Sequence, residues 1–133
     1  MTKRLIYATL VYTILSMVLG MVWHFIFFKE LYDSFGIYNR AEPIIPLGLT
    51  SMLMQGAIMA YLFPFFYRDG NAVRQGIRFG LVMGLFLFSV STLANAAKIE
   101  VSSMSSWLMV QSAFHLIQFT LAGAGIGLVF KKR

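Results

Sequence analysis

Residues 105–130 read SSWLMVQSAFHLIQFTLAGAGIGLVF, 26 positions without an Asp, Glu, Lys or Arg. As an α-helix this stretch is about 39 Å long, more than the ~30 Å of a bilayer's hydrocarbon core. In lipid a helix satisfies its own backbone polar groups, which a lone strand cannot do. Three further stretches are long and apolar, residues 5–28, 44–67 and 76–97, with Arg78 their one charged residue. The expected fold is therefore all-α, a single integral membrane four-helix bundle with an outer loop at residues 29–43. Composition agrees. Of 133 residues 59% are hydrophobic and 12% charged, against about 25% charged in soluble domains. A soluble domain this small cannot bury so much apolar surface.

The breaks between spans are chemically distinct. Lys29, Glu30, Asp33, Asn39, Arg40 and Glu42 mark the first loop, and Pro43 and Pro46 open the second helix, where unpaired first-turn N–H groups tolerate proline. Arg68-Asp69-Gly70-Asn71 reads as a tight polar turn. Lys98, Glu100 and the serines Ser102, Ser103, Ser105 and Ser106 mark the last. Lys3 and Arg4 precede an apolar run too long for a signal peptide and followed by no Ala-x-Ala site, so the run reads as a retained helix.

Lys and Arg set direction. Lys3, Arg4, Arg68, Arg74, Arg78, Lys131, Lys132 and Arg133 fall on one side; only Lys29, Arg40 and Lys98 fall on the other. The basic side is expected to be cytoplasmic, with both termini inside (N-in/C-in). Cations at span ends face lipid headgroups, so the net charge of +6 points to membrane lipids as partners and not to nucleic acid. Tyr32, Tyr38, Tyr67 and Trp107 sit where interfacial anchors belong. Without cysteine, disulfides, iron–sulfur clusters and a Cys nucleophile drop out.

Polar residues inside a span usually face the bundle. At 100° per residue, Gly76, Gly80, Gly84, Ser91, Asn95 and Lys98 form one stripe on the third helix. Gln111, His115, Gln118, Ala122 and Gly125 form one on the fourth. Tyr12, Ser16, Gly20, Trp23 and His24 share a face of the first, and Ser51 and Gln55 lie on the second. Two expectations result. Gly76, Gly80 and Gly84 with Ala122 and Gly125 let helices three and four approach closely, or serve a homo-oligomer. Trp23, His24, Gln55, Asn95, Lys98, Gln111, His115 and Gln118 line a ligand-binding pocket in the outer half, with Tyr32, Tyr38 and Pro43 folding the loop over its mouth. Cross-helix hydrogen bonding is the plainer role for the same residues.

Other chemistry fits less well. His24 and His115 invite a bis-histidine haem, but at about 6 Å and 12 Å depth they sit at unequal levels. Met17, Met21, Met52 and Met54 suit Cu(I) and equally suit apolar packing. No acid lies within a span, no Ser-His-acid set or H-E-x-x-H spacing occurs, and an exporter's intramembrane carboxylate is missing. The chain reads as no enzyme.

Val18-Leu19-Gly20, Trp23-His24, Phe28, Tyr32 and Gly36-Ile37 resemble the first helix of small four-span bacterial inner-membrane proteins of a domain-of-unknown-function family, which ends in a Trp-Tyr or Trp-His pair. The likeness extends to the glycine-spaced third helix and to Ala113-Phe114-His115-Leu116 before Ala122-Gly123-Ala124-Gly125-Ile126-Gly127. It departs at Glu42-Pro43-Ile44-Ile45-Pro46. The resemblance implies fold and topology, brings no activity, and singles out Trp23, His24 and His115. Three functions stand as expectations: binding or passage of a small or lipidic ligand; a structural or assembly subunit, as a homodimer or in a larger membrane complex; or a haem- or quinone-binding redox subunit.

Overall fold

The computed structural model describes residues 1–131; Lys132 and Arg133, counted above among the basic-side charges, lie outside them. Among the described residues there is no strand. The helices are α1 (Thr2–Phe27), α2 (Lys29–Ser34), α3 (Ile45–Phe66), α4 (Ala72–Ala96) and α5 (Met104–Phe130). All but α2 are long and apolar enough to cross a membrane, so the chain is a multi-pass membrane protein. The first loop, expected at residues 29–43, contains the short helix α2.

Local chemistry places the ends. Asn71 Oδ1 accepts from the Arg74 N–H at 2.9 Å and caps α4, while Ser103 stands at the N-cap of α5. Pro46 sits in the first turn of α3, where its missing N–H costs nothing. The α3–α4 turn is held by Gln75, whose Oε1 accepts from the Arg68 N–H at 2.7 Å and whose Nε2 donates to the Arg68 carbonyl at 3.0 Å. This turn, Met1 and Lys131 occupy one end of the molecule, here the terminal end. The first loop and residues 97–103 occupy the loop end.

α3 packs on α1, α1 on α5, and α5 on α4. The tightest pair is α4 with α5. A Cβ at Gly76 would strike the Gly123 carbonyl oxygen and the backbone of Gly127, and one at Gly80 the Phe119 carbonyl oxygen. Backbone cannot yield as a flexible side chain can, so both positions require glycine. The partners on α5 are therefore Gly123 and Gly127, and not the Ala122 and Gly125 that the stripe suggested. Gly125 turns toward α1, where a Cβ would meet Val11 Cγ1 at 2.7 Å, and Ala122 is fully buried in the central core. Gly84 faces the Phe119 ring.

α3 and α4 meet through the Phe63–Phe79 and Phe66–Phe79 ring pairs, each at 5.5 Å, near the terminal end. Toward the loop end α3 leaves the bundle. Residues 44–51 are exposed throughout, and a Cβ on Gly48 would have nothing within 4 Å. The buried residues split accordingly into two cores. One holds Tyr12, Met59, Phe63, Phe119 and Ile126, and the other, at the loop end, holds Trp23, Tyr32, Phe35, Trp107 and Val110.

Gly80→Leu is expected to cost about 3 kcal/mol or more by forcing α4 off α5. Gly48→Leu is expected to stay within about 0.5 kcal/mol of the parent. Unfolding in mild detergent followed by circular dichroism compares the two; equal melting would refute the packing assignment.

Candidate functional site

At the loop end the first loop is clasped onto the bundle. Gly36, at φ 77°, a conformation that favours glycine, turns the chain after α2. The Ser102 hydroxyl donates to the Ser34 carbonyl at 2.7 Å and the Ser102 N–H to the Phe35 carbonyl at 3.3 Å. Trp107 Nε1 donates to the Tyr38 hydroxyl at 3.1 Å. Trp107 is thus buried in the loop-end core and is no interfacial anchor. Pro43, expected to help cover the mouth, is exposed; Tyr32 and Tyr38 make the cover.

Beneath this cover lies a cluster of rings and amides. The Tyr32 hydroxyl donates to Gln111 Oε1 at 2.6 Å. The His24 ring lies 4.4 Å from Tyr32 and 4.8 Å from Phe114, centroid to centroid. Trp23 packs on Phe28 at 4.5 Å and on Phe114 at 5.8 Å. Its indole lies beside the Tyr32 hydroxyl without reaching hydrogen-bond geometry, so its N–H is buried and unpaired. Burial raises the Tyr32 hydroxyl well above the ordinary tyrosine value, and raises Tyr38 in the same direction.

Two π-helical segments frame the cluster. In Trp23–Phe27 the ladder stretches so that the Phe28 N–H reaches the Trp23 carbonyl. In Ser89–Leu93 the Ala94 N–H reaches the Ser89 carbonyl. Such bulges are rare and concentrate at functional sites. Each inserts one residue and so rotates the remainder of its helix by about 100°. The rotation explains where Asn95 and Lys98 went. Both are exposed, and Asn95 Nδ2 donates to its own helix at the Ser91 carbonyl, 2.7 Å away. Thr92 and Ala96 take their place against the bundle. Neither Asn95 nor Lys98 joins the pocket.

The remaining expected residues fall in two layers. Trp23, His24 and Gln111 meet in the cluster, and His115 adjoins it across Phe114, 5.9 Å between rings. His115 Nδ1 lies 2.8 Å from the Gln111 carbonyl, and its Nε2 lies 3.1 Å from the Ser91 hydroxyl. Gln55 and Gln118 belong to a deeper layer. The Tyr12 hydroxyl donates to Gln55 Oε1 at 2.6 Å, and Gln55 Nε2 donates to Ser51 at 2.9 Å. Gln118 Nε2 donates to Ser16 at 3.0 Å, and Ser16 lies beside Tyr12. These groups chain α3, α1 and α5 together.

A carbonyl only accepts, so the neutral His24 and His115 rings carry their proton on Nδ1, facing Gly20 and Gln111 respectively. Each Nε2 then offers a lone pair. On His115 the Ser91 hydroxyl donates to it. The His24 ring packs against Tyr32 and Phe114. The loop-end halves of the spans contain no Asp, Glu, Lys or Arg, so the site is polar and uncharged. Among the described residues no three His, Asp or Glu side chains gather to hold a metal. Of its functional groups, Tyr32 was out of reach of periodicity, because it sits on a helix of six residues.

No family model, curated protein or solved structure matches this chain.

Gln111→Leu is expected to strand the Tyr32 hydroxyl and cost about 1–3 kcal/mol. Adding Tyr32→Phe should recover part of that loss, a coupling read from a double-mutant cycle in detergent; strict additivity would deny the contact. Alkali gives a second check. The folded values are raised, so the clasp contributes fully below the unfolded tyrosine value near 10 and is lost as pH rises toward the folded values. Tyrosinate absorbance should reveal groups ionising late and together with unfolding, and Tyr32→Phe/Tyr38→Phe should lose that late step.

Proposed function

We propose that this protein is a non-enzymatic multi-pass protein of the bacterial inner membrane, with both termini cytoplasmic. It binds a small or lipidic ligand, or passes it across, at the uncharged polar layer in the outer half of the bundle. The excess of Lys and Arg at the terminal end favours this orientation, which puts the clasped loop outside. The resemblance to small four-span bacterial proteins agrees with that placement.

One observation carries the ligand reading. Trp23 Nε1 and Thr92 Oγ1 are buried polar atoms without a partner, and each sits in one of the two π-helical segments. A buried unpaired donor costs about 1–3 kcal/mol, and hydroxyls in these helices ordinarily bond the carbonyl one turn back, as Thr9, Thr13 and Ser112 do. Two such costs, each at a bulge and each beside a histidine or its partner serine, fit a site built for an absent group. The assembly reading keeps one support, the exposed face of α3 around Gly48. The seam glycines of α4 are already consumed within the chain. The redox reading has His115 Nε2 engaged by Ser91 and His24 walled by Tyr32 and Phe114, which leaves no open slot between the histidines for a haem.

Native mass spectrometry of protein released from mild detergent tests the reading. A stoichiometric extra mass, lost in Trp23→Phe, is the expected result; a bare monomer or dimer would refute it. Orientation is tested separately in this cysteine-free chain. Glu42→Cys should react with an impermeant thiol reagent in intact cells, and Lys131→Cys only after the membrane is opened.

A further inference from the structure

Beyond Gly84, where the Phe119 ring wedges between them, α4 and α5 diverge. The divergence leaves a crease of about 260 Å³ with walls from Leu85, Phe88, Leu116 and Phe119 and a polar floor of Ser112 and His115. Leu85 and Leu116 at its rim are 70% and 60% exposed, so the crease opens sideways into lipid. Ser91 and Ser112 are themselves exposed. Ser112 donates to the Leu108 carbonyl and Ser91 to His115, and each exposed hydroxyl oxygen keeps a lone pair that an occupant's hydroxyl can use.

Depth and charge select the occupant. α5 is 27 residues long, about 40 Å, so each end projects about 5 Å beyond a 30 Å core. His115 then lies about 11 Å below the hydrocarbon surface. The phosphates and ester carbonyls of phospholipids stay at the interface, above that level. A charged headgroup would meet no counter-charge here. Shape adds a third criterion. The His115 and Phe119 rings lie at 17° to one another, 6.0 Å apart, and Phe88 meets His115 nearly edge-on at 75°. The stacked pair and the edge-on ring give the crease an aromatic lining.

The geometry points to a lateral site for a quinone-type lipid, a flat neutral ring bearing oxygens on an apolar tail. This inference rests on the ligand reading above and names the ligand class for its side facing α4. The floor suits both forms of such a ring. A ring hydroxyl donates to Ser112 Oγ, and a carbonyl oxygen accepts once the Ser112 hydroxyl turns from the Leu108 carbonyl. Only binding is inferred; no electron transfer is assigned.

The test is titration of the purified protein with decylubiquinone, read as quenching of Trp23 and Trp107 fluorescence. Saturable quenching is expected. Ser112→Phe fills the crease and should weaken it at least tenfold. His115→Leu leaves the crease open but removes its polar end, and should also weaken it at least tenfold. Met109→Phe, exposed on the same helix away from the crease, should match the parent. Quenching that rises linearly with added quinone reports partition into detergent and overturns the inference, as does equal binding by Ser112→Phe and Met109→Phe. A stoichiometric non-quinone mass together with linear quenching would leave the outer-half ligand reading standing and remove this one.

Discussion

The backbone contact between α4 and α5 sets the geometry on which the other features depend. Lipid tails are as apolar as leucine, so helices in a bilayer gain little from hiding apolar side chains from it. Close approach is what rewards them, through dispersion and short polar contacts. Gly76 and Gly80 on one helix and Gly123 and Gly127 on the other bring the two chains together at the terminal end. Two straight rods pinned that closely at one end must separate along their length unless they run parallel. The Phe119 ring beside Gly84 marks where separation begins. From that point outward, polar side chains bridge the gap that backbone no longer closes, His115 to Ser91 first. The glycines and the histidine are thus parts of one arrangement: the seam decides where the space is, and the polar residues decide what the space accepts.

The two π-helical segments lie toward the same loop end of the bundle. A regular α4 would keep Ser91, Asn95 and Lys98 on one face. One extra residue in the turn Ser89–Leu93 swings the loop end of α4, trading Asn95 and Lys98 for Thr92 and Ala96 against the loop-end core. The exchange substitutes small groups for long polar ones where Ile99 and Val101 must also pack. The segment Trp23–Phe27 does the corresponding work on α1, setting Trp23 inward while Phe25, Ile26 and Phe27 face lipid. Both bulges weaken a helix locally, and both leave a polar atom without a partner. A cost repeated at two places on one level of the bundle is easier to understand as a shared requirement than as two accidents of packing.

How much was legible in the sequence depends on which physical signals are local. The four spans were, because length and apolarity are local properties; their ends moved only by a few residues. On α5, an uninterrupted helix, the wheel correctly put Gln111, His115, Gln118 and Ala122 toward the interior. On α4 the wheel worked for Gly76, Gly80 and Gly84 and failed beyond the bulge, since periodicity assumes 3.6 residues per turn and nothing in Ser89-Val90-Ser91-Thr92-Leu93 announces a fifth. Gly123 and Gly127 were visible as residues but lay off the chosen stripe, which tracked polar groups that face α1 as well as α4. Tyr32 and Trp107 were read as interfacial anchors because aromatic residues at span ends usually are. Their burial depends on the first loop returning to touch residues 102 and 107, a long-range event with no local mark.

That return also explains why the cover is polar on its inner side and tied by hydrogen bonds. A loop resting on an apolar bundle end would be held by burial alone and could slide. Here the ties are directional: Tyr32 to Gln111, Trp107 to Tyr38, and Ser102 to two carbonyls of the α2 turn. Directional bonds fix the loop's register on the bundle, and they engage Gln111, whose carbonyl in turn orients His115. One residue of α5 therefore touches the cover with its side chain and the deeper histidine with its backbone. Any movement of the cover that breaks the Tyr32 bond is felt at Gln111, one helical turn from the floor of the lipid-facing crease, so cover and crease are mechanically adjacent although they open in different directions.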